Sequence, residues 1–284
     1  MNDTIDLTAA IGYVSENGTI LERARMLRML MNVEPARESY QKLLDSQNPD
    51  GGFPSRPKPG SESAVDSTLT ALWQFDELGM LDTGPARRAL DFLRAVQRPD
   101  GGLDENALLP QHDLPPWIRP GELPTRLYLT TYAAYWLGVV HGALEAGEGH
   151  DDPTFNRAVE FIAAHQREDG AVPGYMHNNW LGASAFRFAG PAYAERAEAV
   201  LGYLLRLPPG DWADSQVAWA LDCLTRAGLP ADHPFTQFAR AELIRRQAPD
   251  GSWASEDGPS FAASATVGVI KVLKGLGMVG GLDD

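Results

Sequence analysis

The chain alternates between two kinds of helical pattern. One kind starts at a proline and mixes apolar residues with charged ones, as in residues 86–93, so that one side of the helix is apolar. The other kind is apolar on more than one side, as in residues 66–73 and 261–273, which is typical of a helix surrounded by others. An Asp-Gly turn separates the first kind from the second, and a glycine ends the second. The pattern predicts a unit of one outer and one inner helix.

This unit repeats along the chain. Pro35 to Asp50 and Pro85 to Asp100 each span 15 residues, and the corresponding distance is 16 residues later in the chain. Such self-similarity indicates a repeat fold in which each unit buries its apolar face against its neighbours. Four turns share the signature Gln-x-x-Asp-Gly and two are fainter: Gln47–Phe53, Gln97–Leu103, Gln166–Val172, Gln247–Trp253, Glu16–Gly18 and Pro208–Trp212.

Six helix pairs in two concentric rings would bury the apolar face of every unit. The sequence therefore predicts an all-α, (α/α)6 toroid, with the segment Thr4–Val14 packed beside the last repeat. No linker or change of composition interrupts residues 1–284, which predicts a single domain. A proline-rich insertion at residues 104–125 separates one Asp-Gly turn from the next inner helix and could act as a lid.

The composition of the chain argues against some classes of binding partner. Among 284 residues, 38 are acidic and 24 basic, and the resulting net charge of −14 argues against nucleic acid or an anionic membrane surface. No apolar run approaches the ~18 residues that a membrane span requires. The N-terminus lacks the features of a signal peptide, and the lone Cys223 cannot form an intramolecular disulfide. We therefore expect a cytoplasmic protein without a membrane span.

The repeat resembles one in a known superfamily. Phe92-Leu93, followed after three residues by Gln97-x-x-Asp100-Gly101, is similar to the QW repeat of terpenoid cyclases such as squalene–hopene cyclase, and to the repeats of protein prenyltransferase β-subunits. The similarity extends over nearly the whole chain and implies an α/α toroid. In those families the Gln and the aromatic residue tie an outer helix to the neighbouring inner helix. The resemblance therefore implies a structural role for the repeat glutamines: Gln47, Gln97, Gln166 and Gln247.

The same resemblance suggests catalytic residues. Class II terpene cyclases carry Asp-x-Asp-Asp before an inner helix, and its middle Asp protonates an alkene or epoxide. The matching string here is Ala64-Val65-Asp66-Ser67-Thr68, which keeps only the middle carboxyl. Asp66 is thus the candidate acid at the mouth of a central apolar cavity, where burial would keep it neutral. Asp214, in a second Asp-Ser string, is the other catalytic candidate. Alternatively, Asp66 or Ser67 caps the inner helix.

Aromatic side chains on the predicted inner helices and their mouths could line a pocket for an isoprenoid and face its cations. Packing in the core between the rings is the alternative for each of them. Arg126, together with Arg56, Lys58 and Arg119, could hold a diphosphate, or be solvated in loops. The predicted substrate-binding residues are Trp73, Tyr128, Tyr132, Trp136, Trp180, Trp219, Trp117 and Arg126.

No metal or other cofactor is expected. Protein prenyltransferases bind zinc through an Asp-x-Cys pair and a distant His, but Cys223 has Leu221 two residues before it, and an Asp-Asp-x-x-Asp motif is missing. The leading interpretation is a stand-alone class II terpene cyclase domain acting on a small, hydrophobic, isoprenoid-like substrate. One alternative is a non-catalytic toroid that binds an isoprenoid or a partner protein. Another is a carbohydrate-active α/α barrel, whose carboxylates would come from Asp104, Glu105, Glu256 and Asp257.

Overall fold

The computed structural model describes residues 4–55, 61–109, 114–142 and 152–279. Arg56 and Lys58 lie outside these ranges, as do residues 110–113 of the insertion. The helices are α1 (Leu7–Asn17), α2 (Ile20–Met31), α3 (Arg37–Asp45), α4 (Val65–Glu77), α5 (Gly84–Val96), α6 (Leu123–Gly142), α7 (Pro153–His165), α8 (His177–Phe188), α9 (Ala194–Leu205), α10 (Asp214–Arg226), α11 (Pro234–Arg246) and α12 (Ala262–Gly275).

Strands are almost missing from the described part of the chain. β1 (Phe53–Pro54) pairs antiparallel with β2 (Ser63–Ala64), just before α4. Short 3₁₀ turns precede several helices, including Pro116–Ile118 in the insertion. Since α6 begins at Leu123, the last residues of the predicted insertion are already helical. None of the described helices is both long and apolar enough to cross a membrane.

The chain forms two compact units, and the single domain stays a prediction. One unit comprises Met1–Gln41 and Leu205–Asp284. Its central helix is α12, which packs against α1, α2 and α10 and is buried along most of its length. The placement of α1 on α12 confirms that the N-terminal segment lies beside the last repeat.

The other unit comprises Lys42–Leu204. Its central helix is α6, which packs against α4, α7 and α8. The approach of α8 depends on Gly138, because a Cβ there would lie 2.4 Å from the ring of Phe188. The more amphipathic α5 and α7 pack against these helices, as expected for the proline-initiated type.

The repeat glutamines are structural, as predicted, but their partners differ from the prediction. The Gln97 side-chain amide donates to the carbonyl of Gly101 in its own turn at 2.9 Å, and to that of Thr154 at the start of α7 at 2.8 Å. Gln247 likewise reaches Asp6 before α1 at 2.8 Å. Each glutamine therefore ties its turn to the beginning of the next outer helix, rather than an outer helix to an inner one.

The turn glycine is required at the same contact. Gly101 has φ +86°, and a Cβ on it would lie 2.3 Å from the carbonyl oxygen of Arg157 in α7. Both the backbone conformation and the space exclude a side chain. The same is true of the other three full repeats, whose turn glycines are Gly51, Gly170 and Gly251.

Replacing Gly101 with Ala is expected to lower stability by at least about 2 kcal/mol, because a positive φ and a backbone clash add together. In thermal denaturation this corresponds to a melting temperature lower by on the order of 5 °C. Gly84→Ala is the matched control in the same unit, since Gly84 has no positive φ and its Cβ would meet only the end of the Arg88 side chain at 3.7 Å. Equal melting temperatures for the two variants would contradict this account of the turn.

Candidate active site

The N-terminus of α4 is held by a carboxylate from another part of the chain. Glu105 lies in the loop after the turn Gln97–Leu103. It accepts hydrogen bonds from the backbone N–H groups of Val65 at 2.7 Å and Asp66 at 3.1 Å. These belong to the first-turn N–H groups that no helical carbonyl can satisfy. Ala64 precedes the helix and provides no side-chain cap. The cap is therefore Glu105 rather than Asp66 or Ser67.

The Asp66 carboxyl is placed so that it keeps a proton. Burial raises the pKa of Asp66 to about 7, and the negative charge of Glu105 adds to the rise. A hydrogen bond from the Tyr128 hydroxyl acts in the opposite direction, because it stabilises the ionised carboxylate. The two effects that raise the pKa of Asp66 outweigh the one that lowers it. About half of the molecules therefore carry a neutral Asp66 at pH 7.

Asp66 also lines a pocket of about 350 Å³ within the second unit. Ser67, Thr70, Ala71 and Gln74 of α4 form one side of it. The opposite side comes from the end of α3 and from β1: Leu43, Ser46, Phe53 and Pro54. The lining mixes apolar and polar side chains, so this pocket is less aromatic than the cavity that the sequence predicts. Of the predicted site residues, Asp66 alone is part of its lining.

An aromatic column begins at the hydrogen-bond partner of Asp66. Tyr128, Tyr132 and Trp136 follow one another at intervals of four residues on α6, with neighbouring ring centroids 6.0 and 6.3 Å apart. Tyr175 and His177, at the start of α8, approach Tyr128 edge-on at 6.1 and 6.0 Å. Tyr128 is half-buried, whereas Tyr132 and Trp136 are buried. The column thus leads from the acid into the interior of the unit.

Comparison with known proteins supports one fold. No sequence-family profile matches the chain. The chain is 29% identical over 228 residues to the drimenyl diphosphate synthase of Streptantibioticus cattleyicolor, a match that covers 78% of this chain but only 32% of that protein. The chain thus spans about a third of the length of this curated relative.

Solved structures match over more of their length. A type II terpene cyclase from Scytonema, in complex with its substrate geranylgeranyl dihydroxybenzoate, matches with a TM-score of 0.62 and 15% identity, over 96% of this chain and 97% of that one. The ent-copalyl diphosphate synthase of Streptomyces platensis matches with a TM-score of 0.53 and 19% identity, over 90% of this chain and 50% of that one. The chain has the α/α-toroid fold of the type II terpene cyclases. The predicted fold class is confirmed.

The remaining aromatic candidates have different positions in this cyclase fold. Trp180 is fully buried and packs 4.9 Å from His177, so it belongs to the core, as the alternative interpretation has it. Trp73 is half-buried on α4, two turns after Asp66 and on the same side of the helix. Trp219 is half-buried in the first unit. Trp117 lies in the insertion and is 41% exposed.

The Arg126 side chain is already bound by other residues of this chain. Its guanidinium binds both carboxylate oxygens of Asp100, at 2.8 and 2.7 Å, and lies over the ring of Phe161 at 4.9 Å. Both bonds come from one terminal nitrogen of the guanidinium, and charge-assisted hydrogen bonds of this kind are among the stronger ones in proteins. Arg126 therefore joins a repeat turn to α6 and α7, and the structure gives no support to its predicted role in holding a diphosphate.

Asp214 is also held in a structural network. One carboxylate oxygen pairs with Arg246 at 3.2 Å, and the other accepts from the backbone N–H of Ala254 at 2.9 Å. Asp214 therefore joins the start of α10 to Arg246 in α11 and to the loop after the last turn, and we do not retain it as a proton donor.

The role of Glu105 is not evident from the sequence, where this residue is a candidate only as one of several carboxylates for carbohydrate chemistry. The signal that points to it is its position in the repeat: Glu105 comes four residues after the turn glycine Gly101, where the last repeat has Ser255 after Gly251. The two carboxyls of the site are therefore contributed by successive repeats.

The pKa of Asp66 predicts an unusual stability effect. Because this pKa is higher in the folded than in the unfolded chain, ionising Asp66 costs stability as the pH rises towards and through 7. Asp66→Asn removes that cost, so the advantage of the variant over the wild type should grow by on the order of 2 kcal/mol between about pH 5.5 and about pH 8.5. Denaturant unfolding at both pH values measures it.

The matched control is Glu168→Gln, which removes an exposed carboxyl elsewhere in the same unit. If Asp66→Asn instead unfolds more easily than the wild type at both pH values, the carboxylate stabilises the fold and the raised pKa is wrong.

Proposed function

We propose that this chain is a class II terpene cyclase, which protonates an isoprenoid and guides the resulting cation to ring closure. The observation that carries the proposal is the Asp66 carboxyl, which is half neutral at pH 7, lines a pocket and receives a hydrogen bond from Tyr128. A general acid is most effective when its pKa lies near the working pH. The fold shared with the type II terpene cyclases supports the same conclusion.

The chemistry needs one proton from the protein. Asp66 transfers it to a carbon of a substrate double bond, or to an epoxide oxygen, and the electron pair of that bond or oxygen forms the new bond to hydrogen. With an epoxide, a C–O bond of the ring then breaks, its electron pair goes to the oxygen, and the carbon becomes cationic. The cationic carbon that remains is attacked by the next double bond, which closes a ring and moves the positive charge along the chain. Loss of a proton from the last cation ends the sequence, and solvent returns a proton to Asp66.

The aromatic column is suited to the cationic steps. The π face of an aromatic ring stabilises a desolvated cation by on the order of 1–2 kcal/mol. Tyr128 is half-buried and donates a hydrogen bond to Asp66, and Trp73 is half-buried two turns after Asp66 on α4. Tyr132 and Trp136 are buried and follow Tyr128 on α6. We assign Tyr128 and Trp73 to the substrate side of the site, and Tyr132 and Trp136 to its support.

The substrate class is a small, hydrophobic, isoprenoid-like molecule. Two of the similar proteins differ at the polar end of the molecules they handle, which is a diphosphate in the drimenyl diphosphate synthase and a dihydroxybenzoate in the Scytonema cyclase. The engagement of Arg126 by Asp100 leaves the polar end to other residues of this chain. Because Cys223 is the sole cysteine of the sequence and cannot form an intramolecular disulfide, a reducing compartment such as the cytoplasm remains part of the proposal.

A toroid that binds an isoprenoid or a protein without chemistry is the second candidate. It is favoured by Ala64 and Ser67, which replace the outer carboxyls of the cyclase acid motif. The carbohydrate-active alternative loses its support, because Glu105 caps α4 and Asp104 pairs with Arg98 at 2.8 Å.

Asp66→Asn should abolish cyclisation while substrate binding persists, since the amide fills the same space but has no acidic proton. We expect a loss of turnover on the order of 10³-fold, the usual contribution of a general acid. The assay incubates farnesyl diphosphate, geranylgeranyl diphosphate and geranylgeranyl dihydroxybenzoate with wild type and variant, and detects cyclic products by mass spectrometry. In D₂O, the product of the wild type should gain one deuterium.

Glu168→Gln, on the exposed surface of the same unit, should cyclise like the wild type. Undiminished turnover by Asp66→Asn would exclude Asp66 as the acid. Binding of an isoprenoid by the wild type with no product from any of the three compounds would favour the non-catalytic toroid.

A further inference from the structure

We infer that Glu105 is a positioning residue for the proposed acid, and that its fixed negative charge keeps the proton on Asp66. The inference rests on the proposed function and extends it.

The environment of Glu105 favours its charged form over that of Asp66. Its carboxylate accepts from three backbone N–H groups: Val65 at 2.7 Å, Asp66 at 3.1 Å and Asn106 at 2.8 Å. Hydrogen bonds of this kind stabilise a carboxylate. The N-terminus of α4 adds a favourable dipole, because Glu105 lies at its first N–H groups. The Asp66 carboxyl, by comparison, accepts a hydrogen bond from one side chain, that of Tyr128.

Two buried carboxyls at close distance do not both ionise readily, because each charge raises the pKa of the other group. Burial raises the pKa of Glu105 as well, and its three backbone hydrogen bonds work against that rise. When only one of the two carboxyls is ionised, the proton is therefore held by Asp66, the member with fewer donors. Asp66 is also the member that lines the pocket, whereas Glu105 is only 2% exposed.

The loop that carries Glu105 is fixed at several points. Asp104 accepts from the backbone N–H of Gly121 at 2.9 Å, at the far end of the insertion, and pairs with Arg98 at 2.8 Å. The Asn106 side chain donates to the carbonyl of Ser63 at 3.1 Å, in β2. Glu105 thus has no freedom to move away from α4 when Asp66 loses its proton.

Capping alone does not require a charge at this place. In the last repeat, the first-turn backbone N–H of Ser215 in α10 donates to a neutral acceptor in the loop after the turn, and the carboxylates at this contact bond other groups: Asp214 accepts from the N–H of Ala254, and Glu256 from the side chain of Gln216. The backbone N–H of Ser215 donates to the carbonyl of Ala254 at 3.1 Å, and the Ser215 hydroxyl accepts from the N–H of Glu256 at 3.0 Å. The carboxylate of Glu105 is thus a feature of the repeat that contains the acid.

Among the described residues, few ionisable side chains lie close to Asp66. Glu105 faces it from the loop and Tyr128 from α6. Asp104 raises the pKa of Glu105, and Arg98 pairs with Asp104. The side chains that α3 and β1 present to the pocket are not ionisable: Leu43, Ser46, Phe53 and Pro54.

The test compares Glu105→Gln with Glu105→Asp and with Asn106→Ala. The Gln variant keeps the size and one acceptor but removes the charge, so the pKa of Asp66 should fall. The rate declines above that pKa, so a pKa lower by about 1 should reduce turnover at about pH 8 roughly tenfold, with little loss at lower pH. Glu105→Asp should restore the profile. Asn106→Ala loosens the loop without removing the charge, so it should lower only the melting temperature.

The titration of Asp66 is read directly by NMR of protein labelled with ¹³C at the Asp and Glu carboxyls, with Asp66→Asn for assignment. This measurement needs no substrate. It therefore decides the coupling of the two carboxyls even if the wild type converts no isoprenoid, a result that would refute the proposed function alone. An unshifted Asp66 titration in Glu105→Gln would make Glu105 a cap only.

If Glu105→Gln does not fold, the wild type still decides the matter. Asp66 should then titrate at a higher pH than Glu105, in two coupled steps. Titration of Asp66 at the value usual for an aspartate would overturn the inference.

Discussion

Each repeat turn is pressed against the start of the following outer helix, and this contact fixes the position of the loops around it. At Gly101 the backbone of α7 is so close that no Cβ fits, and Gln97 bonds the same helix from the other side of the turn. The chain that leaves the turn consequently has a set direction. The residues three and four positions after Gly101 are Asp104 and Glu105, and they arrive at the N-terminus of the preceding inner helix, α4. The Glu105 carboxylate is thus placed by a contact that also holds the repeats together.

This arrangement places the carboxyls of Asp66 and Glu105 in a buried site, where the charged form of each group is unfavourable. Burying an unpaired charge costs more than burying a neutral, hydrogen-bonded group, so such a pair lowers its free energy by keeping one proton. The three backbone donors on Glu105 determine which group keeps it. Part of the stability of the fold is therefore given up for a protonated Asp66, as is common at catalytic sites.

The sequence predicts the fold well because the residues that begin and end the helices of each repeat act locally. Proline at helix starts, glycine at helix ends and the Gln-x-x-Asp-Gly turns all act within one unit, and they reappear in the structure as expected. The site is less predictable because its partners come from other units. Arg126 looks like a free cation in the sequence, but the turn brings Asp100 to it. Glu105 looks like a surface acid, but it is buried against a helix that begins 40 residues earlier.

The two Asp-Ser helix starts show how strongly such partners decide chemistry. Asp66 and Asp214 both occupy the first turn of an inner helix and are both followed by Ser. The residue before the repeat glutamine is Arg246 in the last repeat, where it pairs with Asp214, but Val96 in the repeat of Asp66. Four residues after the turn glycine, the last repeat has Ser255 and the other has Glu105. One exchange removes a positive charge and the other adds a negative charge, and both favour the protonated form of the aspartate. The same helix start is therefore a structural ion pair in one repeat and a candidate proton donor in the other, without any change in the Asp-Ser string itself.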